Sequence, residues 1–288
     1  MFLQQFIKDV DARISKEPGL LRNSSNEQRR HLGASIIGKK CLRAAYYSFR
    51  WFTFPTFEGR MLRLFQRGQD EEARLIEVLA IGGVVVQPVN PATGAQWRFS
   101  GYKGHYGGSL DGIATGLVGL EAYGVTPASR LLTEFKTHGD KSFKSLIATG
   151  TVAKAKPEHY TQMQIYIQEF QLDAGLYCAV NKNDDNLWIE LVAKNPAQAI
   201  IAERMAESVV DARQPPPRLP YASPSNFDCR FCDQRPVCLM GAIPLKNCRT
   251  CISSVAIDGG NWYCERWQKQ IPRDAEEHGC DAWTPIGG

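Results

Sequence analysis

The chain has 288 residues, of which 43% are hydrophobic and 22% are charged, a composition typical of globular rather than fibrous or disordered proteins. No stretch approaches the ~18 consecutive apolar residues of a membrane span, and residues 1–13 lack the basic-then-apolar order of a secretory signal. We therefore expect a cytoplasmic protein that does not contact membranes. The net charge is +4, but residues 1–67 hold 13 Lys and Arg against 5 Asp and Glu. This region either meets phosphates or forms a solvated basic helical surface.

In the first half of the chain, helical patterns give way to strand patterns near residue 82. Apolar residues recur at helical spacing among the charges of 60–81, and Gly82-Gly83 ends that pattern. The β-branched run 84–89 and the segment 129–137 each predict a strand. The glycine-rich segment 106–120 predicts two short strands around a turn.

The second half continues with alternating elements. Pro157 predicts the first turn of a helix over 157–170. The runs 176–180 and 187–192 flank a polar turn and predict a hairpin. Asn195-Pro196 predicts the start of a helix that reaches residue 213. Its expected buried side contains Ile200, Ile201, Met205 and Val209.

Cysteine spacing is the strongest local signal in the sequence. Among nine cysteines, Cys229-x2-Cys232 and Cys248-x2-Cys251 are two C-x2-C pairs, where random placement would give about 0.3. Because a reducing compartment disfavours disulfides, such spacing predicts metal binding or catalysis. One partition is two sets of four plus Cys178, which lies in an apolar run and is expected to be an inert core residue. The alternative is that the two C-x2-C pairs are mixed between the sets.

A second signal lies in the predicted strand Leu131–Thr137. The two-residue period of a strand places Glu134 and Lys136 on one face, side by side. An acid-x-base triplet alone is common and is also typical of surface ion pairs. Its context is more specific, because Asp111 lies upstream between glycines and Gln162 and Tyr166 lie downstream, four residues apart on one helical face.

In order along the chain, these motifs are Gly68-x3-Glu72, Gly108-Ser-Leu-Asp111-Gly112, Glu134-Phe135-Lys136 and Gln162-x3-Tyr166. Their order and spacing resemble those of the PD-(D/E)XK nuclease superfamily, in particular its RecB-like and Cas4-like exonuclease branch. The resemblance covers residues 43–166 by these motifs and extends to Cys238 by the cysteine pattern. Many members of that branch have His at the first motif position, where this chain has Glu72, with Glu71 as a competitor.

The resemblance implies hydrolysis of DNA phosphodiesters with Mg²⁺ or Mn²⁺, hard cations that carboxylate oxygens suit. Asp111 and Glu134 would be the core ligands, with Glu72 and the Phe135 carbonyl adding oxygens. Lys136 would orient or help to deprotonate the attacking water. Gln162 and Tyr166 would position substrate or the ligand-bearing strand, or would simply pack the helix. His159 is a secondary candidate for a base.

The resemblance also implies a [4Fe-4S] cluster. In Cas4-like and AddB-like nucleases one cysteine near the N-terminus joins three at the end of the nuclease body, and here the matching thiols are Cys41, Cys229, Cys232 and Cys238. Zinc bound by the same four thiolates is the alternative.

The tail after residue 240 has too few apolar residues to form a core alone. We expect a second, four-thiolate zinc site there, with His278 as a substitute ligand. Its cysteines are Cys248, Cys251, Cys264 and Cys280. Basic and aromatic side chains of the tail would either extend the DNA surface or only brace the module: Lys246, Arg249, Arg266, Lys269, Arg273, Trp262 and Trp267.

The predicted architecture is an α/β nuclease domain over 1–240, with a mixed central β-sheet flanked by helices, followed by a zinc-binding tail over 241–288. A proline-rich linker, 214–220, precedes the cysteine-rich end. The resemblance implies exonucleolytic processing of DNA ends in recombination, repair or a mobile-element setting. A recombination or repair protein is a candidate partner. The oligomeric state is left open. The rival hypotheses are an inactive nucleic-acid-binding module and an iron–sulfur redox protein.

Overall fold

In the part of the chain that the structure describes, the strands form three sheets. In the computed structural model, which describes residues 2–22 and 28–287, the strands are β1 (Leu32–Gly33), β2 (Val85–Gln87), β3 (Arg98–Gly101), β4 (Tyr106–Ser109), β5 (Gly112–Thr115), β6 (Leu131–His138), β7 (Ala174–Asn181), β8 (Leu187–Ala193), β9 (Ser254–Ile257), β10 (Asn261–Cys264) and β11 (Lys269–Ile271). The central sheet has the order β2-β5-β6-β7-β8. Its β6 and β7 run parallel and its other pairs are antiparallel.

Helices surround this sheet. They are α1 (Phe2–Lys16), α2 (Ala34–Ile37), α3 (Leu42–Phe49), α4 (Gly59–Ile81), α5 (Asp140–Thr149), α6 (Val152–Ala155), α7 (Pro157–Glu169), α8 (Pro196–Asp211), α9 (Phe227–Arg230) and α10 (Arg235–Met240). The predicted fold class, a mixed central sheet flanked by helices, is confirmed. The sequence patterns did not reveal β1, β3, α5, α6 or the tail strands.

The two faces of the central sheet have different neighbours. On one face, Leu75 and Leu79 of α4 join Leu131 and Phe135 of β6 in a single buried cluster. On the other face, Met163 and Ile167 of α7 pack directly over Gly175 of β7. Parallel strands need a long crossover connection, and α5, α6 and α7 supply it between β6 and β7. Residues of α7 are thereby brought back over the face of β6 that bears Glu134.

The buried side of α8 differs from the expectation. Ile200 and Ile201 are 45% and 52% exposed, so the prediction that they face the core was wrong. The helix instead buries three alanines and two valines, and small side chains allow α8 to approach α7 closely. The buried residues are Ala199, Ala202, Ala206, Val209 and Val210.

The cysteine-rich tail folds against the body of the protein. β9, β10 and β11 form an antiparallel sheet, and Trp262 of β10 is fully buried with Phe49 in the largest core cluster. Arg249 is also fully buried. For these two side chains the burial fits the bracing alternative, because they fill the contact between tail and body; the expectation that Arg249 is exposed was wrong. Trp267 is exposed, as are the other basic side chains of the set, Lys246, Arg266, Lys269 and Arg273.

The boundary between the two predicted domains, at residue 240, stays a prediction. Leu245 N–H donates to the Phe52 carbonyl across this boundary. Across residues 2–22 and 28–287, no helix combines the length and the apolarity needed to cross a membrane.

We expect Trp262→Ala to lower the free energy of unfolding by about 3–5 kcal/mol, the usual cost of emptying a buried tryptophan site. Trp267→Ala is the matched control, because that side chain is 54% exposed and its loss should cost no more than about 0.5 kcal/mol. Denaturant unfolding measures both. Equal effects of the two substitutions would contradict the burial described above.

Candidate active site and cysteine clusters

Three acidic side chains converge from separate parts of the chain. Glu72 lies on α4, Asp111 lies in the turn between β4 and β5, and Glu134 lies in the middle of β6. The Phe135 N–H of β6 donates a 2.8 Å hydrogen bond to Asp111 Oδ2. This bond fixes the Asp111 carboxylate beside the strand that bears Glu134.

Glu134 and Lys136 form an ion pair on one face of β6, as the two-residue period predicted. The Glu134 side chain is 1% exposed, whereas Lys136 is 27% exposed. Lys136 Nζ also donates to the Phe135 carbonyl at 3.1 Å. The ammonium group is therefore held at the edge of a buried carboxylate site, with part of its surface open to solvent.

Burial shapes the electrostatics of this site. Burial, reinforced by the Asp111 carboxylate, raises the pKa of Glu72 to about 7. Burial also raises the pKa of Glu134, although the nearby Lys136 ammonium opposes the change. Burial lowers the pKa of Lys136, but the Glu134, Asp111 and Glu72 carboxylates outweigh it and the net change is upward. Three carboxylates in a poorly solvated site thus favour a cation among them.

Glu71 and Glu72 point to different partners. Glu71 accepts a 2.6 Å hydrogen bond from Arg74 Nε, a pair within α4 itself. Glu72 is the one whose pKa responds to Asp111 and Lys136. Of the two neighbouring acids, Glu72 is therefore the better candidate ligand.

The donor atoms of the site fit a hard cation. Glu134 Oε2 is buried and has no hydrogen-bond partner, and carboxylate oxygens are the ligands that Mg²⁺ and Mn²⁺ prefer. Among the described residues, no group of three or more His, Cys, Asp or Glu side chains already stands at metal-binding spacing.

Gln162 and Tyr166 lie on α7, facing the same region. Gln162 Nε2 donates to Tyr166 Oη at 3.4 Å, and the Glu134 and Asp111 carboxylates add to burial in raising the pKa of Tyr166. The tyrosine packs on the backbone of Gly108, where an added Cβ would lie 2.5 Å from its hydroxyl oxygen. Glycine at this position of the Gly-Ser-Leu-Asp-Gly motif therefore makes room for the tyrosine beside the carboxylates.

Sequence reasoning missed two polar side chains on the same face. His138 is the next residue after Glu134 and Lys136 at the two-residue period, and Tyr177 pairs with Glu134 in the β6–β7 register. His138 Nε2 and His159 Nδ1 both lie 2.9 Å from Tyr177 Oη. Extending the predicted strand by one residue, from Thr137 to His138, would have revealed the histidine.

These side chains form a chain of hydrogen-bond contacts, in which the direction of each bond depends on the histidine tautomers. Lys156 Nζ donates to Ser142 Oγ at 2.7 Å, and Ser142 lies 3.2 Å from His138 Nδ1. Because the ammonium can only donate, the hydroxyl proton of Ser142 is free to point to His138 Nδ1. If Ser142 donates in this way, His138 donates to Tyr177 and Tyr177 donates to the secondary candidate His159. This order requires both imidazoles to be neutral.

We expect His159 to make stability fall at low pH. Burial is the main reason that the pKa of His159 drops to about 3 and that of His138 to about 4. The unfolded chain, with pKa near 6.5, therefore binds more protons as the pH falls below that value, and folding loses free energy. Between pH 7 and 4.5 the wild type should lose about 2.5 kcal/mol more than His159→Gln, at about 1.4 kcal/mol per pKa unit. If the unfolding free energies of the wild type and of His159→Gln changed in parallel with pH, the lowered pKa of His159 would be contradicted.

The first cysteine set is gathered from both ends of the body. Cys41, Cys229, Cys232 and Cys238 line one small cavity. Burial raises the pKa of Cys232, and Cys41 and Cys238 are near enough to raise it further. The chain thus brings a thiol from the start of α3 next to three thiols of the segment around α9 and α10.

The second set also shares one cavity. Cys248, Cys251, Cys264 and Cys280 line a cavity of about 260 Å³ in the tail. Burial raises the pKa of Cys248 to about 11, and the other three thiols contribute to the shift. His278, the predicted substitute, is not among the residues lining this cavity. Cys178 is buried at 1% exposure in the core, as predicted.

Comparisons with known proteins give only distant similarities. No protein-family model matches the chain, and no curated protein matches it. Among solved structures, the protein SSO0001 is similar at TM-score 0.45 and 16% identity, over 83% of this chain and 98% of that one. An alkaline exonuclease (LHK-Exo) from Laribacter hongkongensis is similar at TM-score 0.43 and 16% identity, over 63% of this chain and 87% of that one. Its complex with dAMP gives TM-score 0.43 and 16% identity, over 62% and 86% of the two chains. At these values, the function has to be argued from the side chains of the site.

Proposed function

We propose that the protein is a metal-dependent nuclease that hydrolyses DNA phosphodiesters at the site formed by Glu72, Asp111, Glu134 and Lys136. The observation that carries the proposal is the convergence of three carboxylates from α4, the β4–β5 turn and β6 beside one lysine. A purely structural ion pair would explain Glu134 and Lys136. It would leave Glu72 and Asp111 without a reason to lie in the same poorly solvated region.

In this proposal Glu72, Asp111, Glu134 and the Phe135 carbonyl hold Mg²⁺ or Mn²⁺. The cation would supply charge stabilisation at the scissile phosphate and a more acidic water. The unpartnered Glu134 Oε2 is the oxygen most in need of such a partner.

The protein's own groups supply the rest of the reaction. Lys136, held between Glu134 and the Phe135 carbonyl, would orient the attacking water and offset the negative charge that develops on the phosphate. As the new phosphorus–oxygen bond forms, the bond to the leaving oxygen of the DNA breaks. Tyr166, braced by Gln162 and seated on Gly108, would position the strand beside the carboxylates.

The substrate would be DNA, and the mode of action the exonucleolytic processing of ends in recombination or repair. A cavity of about 470 Å³ lies between α1, α3 and residues 53–57, and Gln28, Arg29 and His31 contribute to its lining. Arg29 is near enough to Tyr166 to affect the pKa of that tyrosine. In this proposal the Arg29 guanidinium would contact a phosphate of the DNA near Tyr166.

The Cys41 set would bind a [4Fe-4S] cluster in the same proposal. Four thiolates in one small cavity are a donor set suited to iron–sulfur clusters or zinc. The cluster would tie α3 to the segment that follows the proline-rich linker, and so would stabilise the nuclease body without acting on DNA.

Incubation with end-labelled DNA tests the proposed activity. Single-stranded and double-stranded substrates, labelled at either end, are incubated with Mg²⁺, Mn²⁺ or no metal, and the products are resolved on a denaturing gel. The proposal expects cleavage only with added metal, and progressive shortening from an end if the enzyme is an exonuclease. Intact DNA under all metal conditions, with a folded and iron-loaded protein, would refute it.

A further inference from the structure

The tail brings two buried, oppositely charged side chains together. Arg249 lies between Cys248 and Cys251, and Glu276 lies four residues before Cys280. The Arg249 guanidinium donates to Glu276 Oε2 at 2.8 Å, and both side chains are 1% exposed. A buried ion pair is favourable only when its geometry is well fixed. Each partner here belongs to a short segment that also carries a cysteine of the second set.

The Arg249 side chain also contacts three residues of the body of the protein. Arg249 donates to the Arg30 carbonyl at 2.8 Å and to the Phe49 carbonyl at 3.2 Å. Its guanidinium lies 3.7 Å above the Trp51 ring, and Trp51 Nε1 donates to the Arg29 carbonyl at 3.0 Å. Arg30 also forms ion pairs with Glu276 and Glu277. Arg29 and Arg30 are therefore held through Arg249 and Glu276 of the tail.

A second connection reaches the same segment from β9 and β10. His105 Nε2 lies 3.0 Å from the Ile257 carbonyl and 2.8 Å from the Asn261 carbonyl, both in the tail. The His105 carbonyl accepts a 2.7 Å hydrogen bond from Leu32 N–H. Both ends of the segment 29–32 are thus fixed by the tail, and this segment includes Arg29 and His31 of the 470 Å³ cavity.

We propose that Cys248, Cys251, Cys264 and Cys280 bind one zinc ion, and that this zinc-organised tail is a clamp that holds the segment 29–32 in place as one wall of the cavity. Four thiolates are a ligand set typical of structural zinc. The clamp needs the metal because the tail is small, and because β9, β10 and β11 are short strands joined by turns. Zinc would keep the Arg249 and Glu276 segments at the spacing that their ion pair requires. The inference goes beyond the proposed nuclease activity, and its test uses no DNA.

The test combines metal analysis with hydrogen exchange. Wild-type protein should contain about one zinc per chain in addition to any iron. Cys280→Ala, which changes the most exposed of the four cysteines, should lose the zinc and keep the iron. Backbone amides of residues 29–32 should then exchange at least about tenfold faster, while those of β6 and β7 stay protected. Cys178→Ala is the control and should change neither the zinc content nor exchange at 29–32.

Two further samples cover the case in which Cys280→Ala does not fold. Zinc is removed from the wild type by a zinc-selective chelator and then restored, and exchange at 29–32 should rise and return. The double variant Arg249→Met/Glu276→Gln removes the ion pair but keeps the cysteines, so it should retain zinc and still exchange faster at 29–32. Wild type without zinc, or zinc loss without any change at 29–32, would overturn the proposal.

Discussion

Lys136→Ala is expected to lower the rate of Mg²⁺-dependent DNA cleavage by about three orders of magnitude, because preorganised charge near the reacting phosphate supplies most of the acceleration in such sites. The rate is measured from single-turnover cleavage of end-labelled DNA. Glu134→Gln should have an effect of the same order, since it keeps the shape of the side chain and removes its charge. Binding of DNA, measured by fluorescence anisotropy without Mg²⁺, should change by no more than about threefold.

Lys194→Ala is the matched control for this experiment, because that lysine is exposed on the surface. The Lys194→Ala protein should cleave DNA at the wild-type rate. Circular dichroism and thermal unfolding of each variant show whether the fold is kept. A folded Lys136→Ala protein that cleaves at a rate near that of the wild type would show that Lys136 takes no part in the reaction. A folded Glu134→Gln protein that cleaves at a rate near that of the wild type would show that cleavage does not occur at the carboxylate site.

Cys41→Ala is expected to destabilise the protein more than any other cysteine substitution in the body. Linking Cys41 to the set that begins at Cys229 closes a loop of about 190 residues, and the lost chain entropy of the unfolded state would be worth about 5 kcal/mol if the cluster acted as a covalent cross-link. For a chain of this size, that corresponds to a fall in Tm of about 8 °C. Thermal unfolding under anaerobic conditions measures the effect.

The metal content decides between the two cofactors proposed for this set. Anaerobically purified wild type should be brown and contain about four irons per chain if the cluster is [4Fe-4S]. A colourless protein with zinc at these sulfurs would refute the iron–sulfur cluster. It would leave unchanged the proposal that the four cysteines form one metal site. Cys178→Ala is the control, because that thiol is buried in the core away from both sets, and the variant should keep its iron. A Cys41→Ala variant with full metal content and unchanged Tm would show that Cys41 is not a ligand.

The sequence alone could predict the strand that carries Glu134 and Lys136, because the two-residue period of a strand assigns side chains to faces without knowledge of the neighbours. It could also predict α4, α7 and the β7–β8 hairpin, whose boundaries depend on glycine, proline and turn residues. These are local signals, and the structure follows them closely.

Contacts between distant segments could not be predicted in this way. The sequence left open whether Trp262 and Arg249 meet DNA or brace the tail, and only the docking of that tail on Phe49 and Trp51 makes them buried. The buried side of α8 was misjudged for a related reason: isoleucine is more apolar than alanine, but close approach to α7 requires small side chains. Hydrophobicity ranks residues, whereas the neighbouring surface decides which of them fit.

The separation between Cys41 and its three partner thiols also has a consequence for synthesis of the chain. Ribosomes add about 5–20 residues per second, so the roughly 200 residues from Cys41 to Cys238 take about 10–40 s to be made. During that time the Cys41 thiol has emerged, but the cavity that it shares with Cys229, Cys232 and Cys238 does not exist. Any metal centre there has to be assembled near the end of translation or after release. The exposed Cys41 thiol of the nascent chain would be open to oxidation until then.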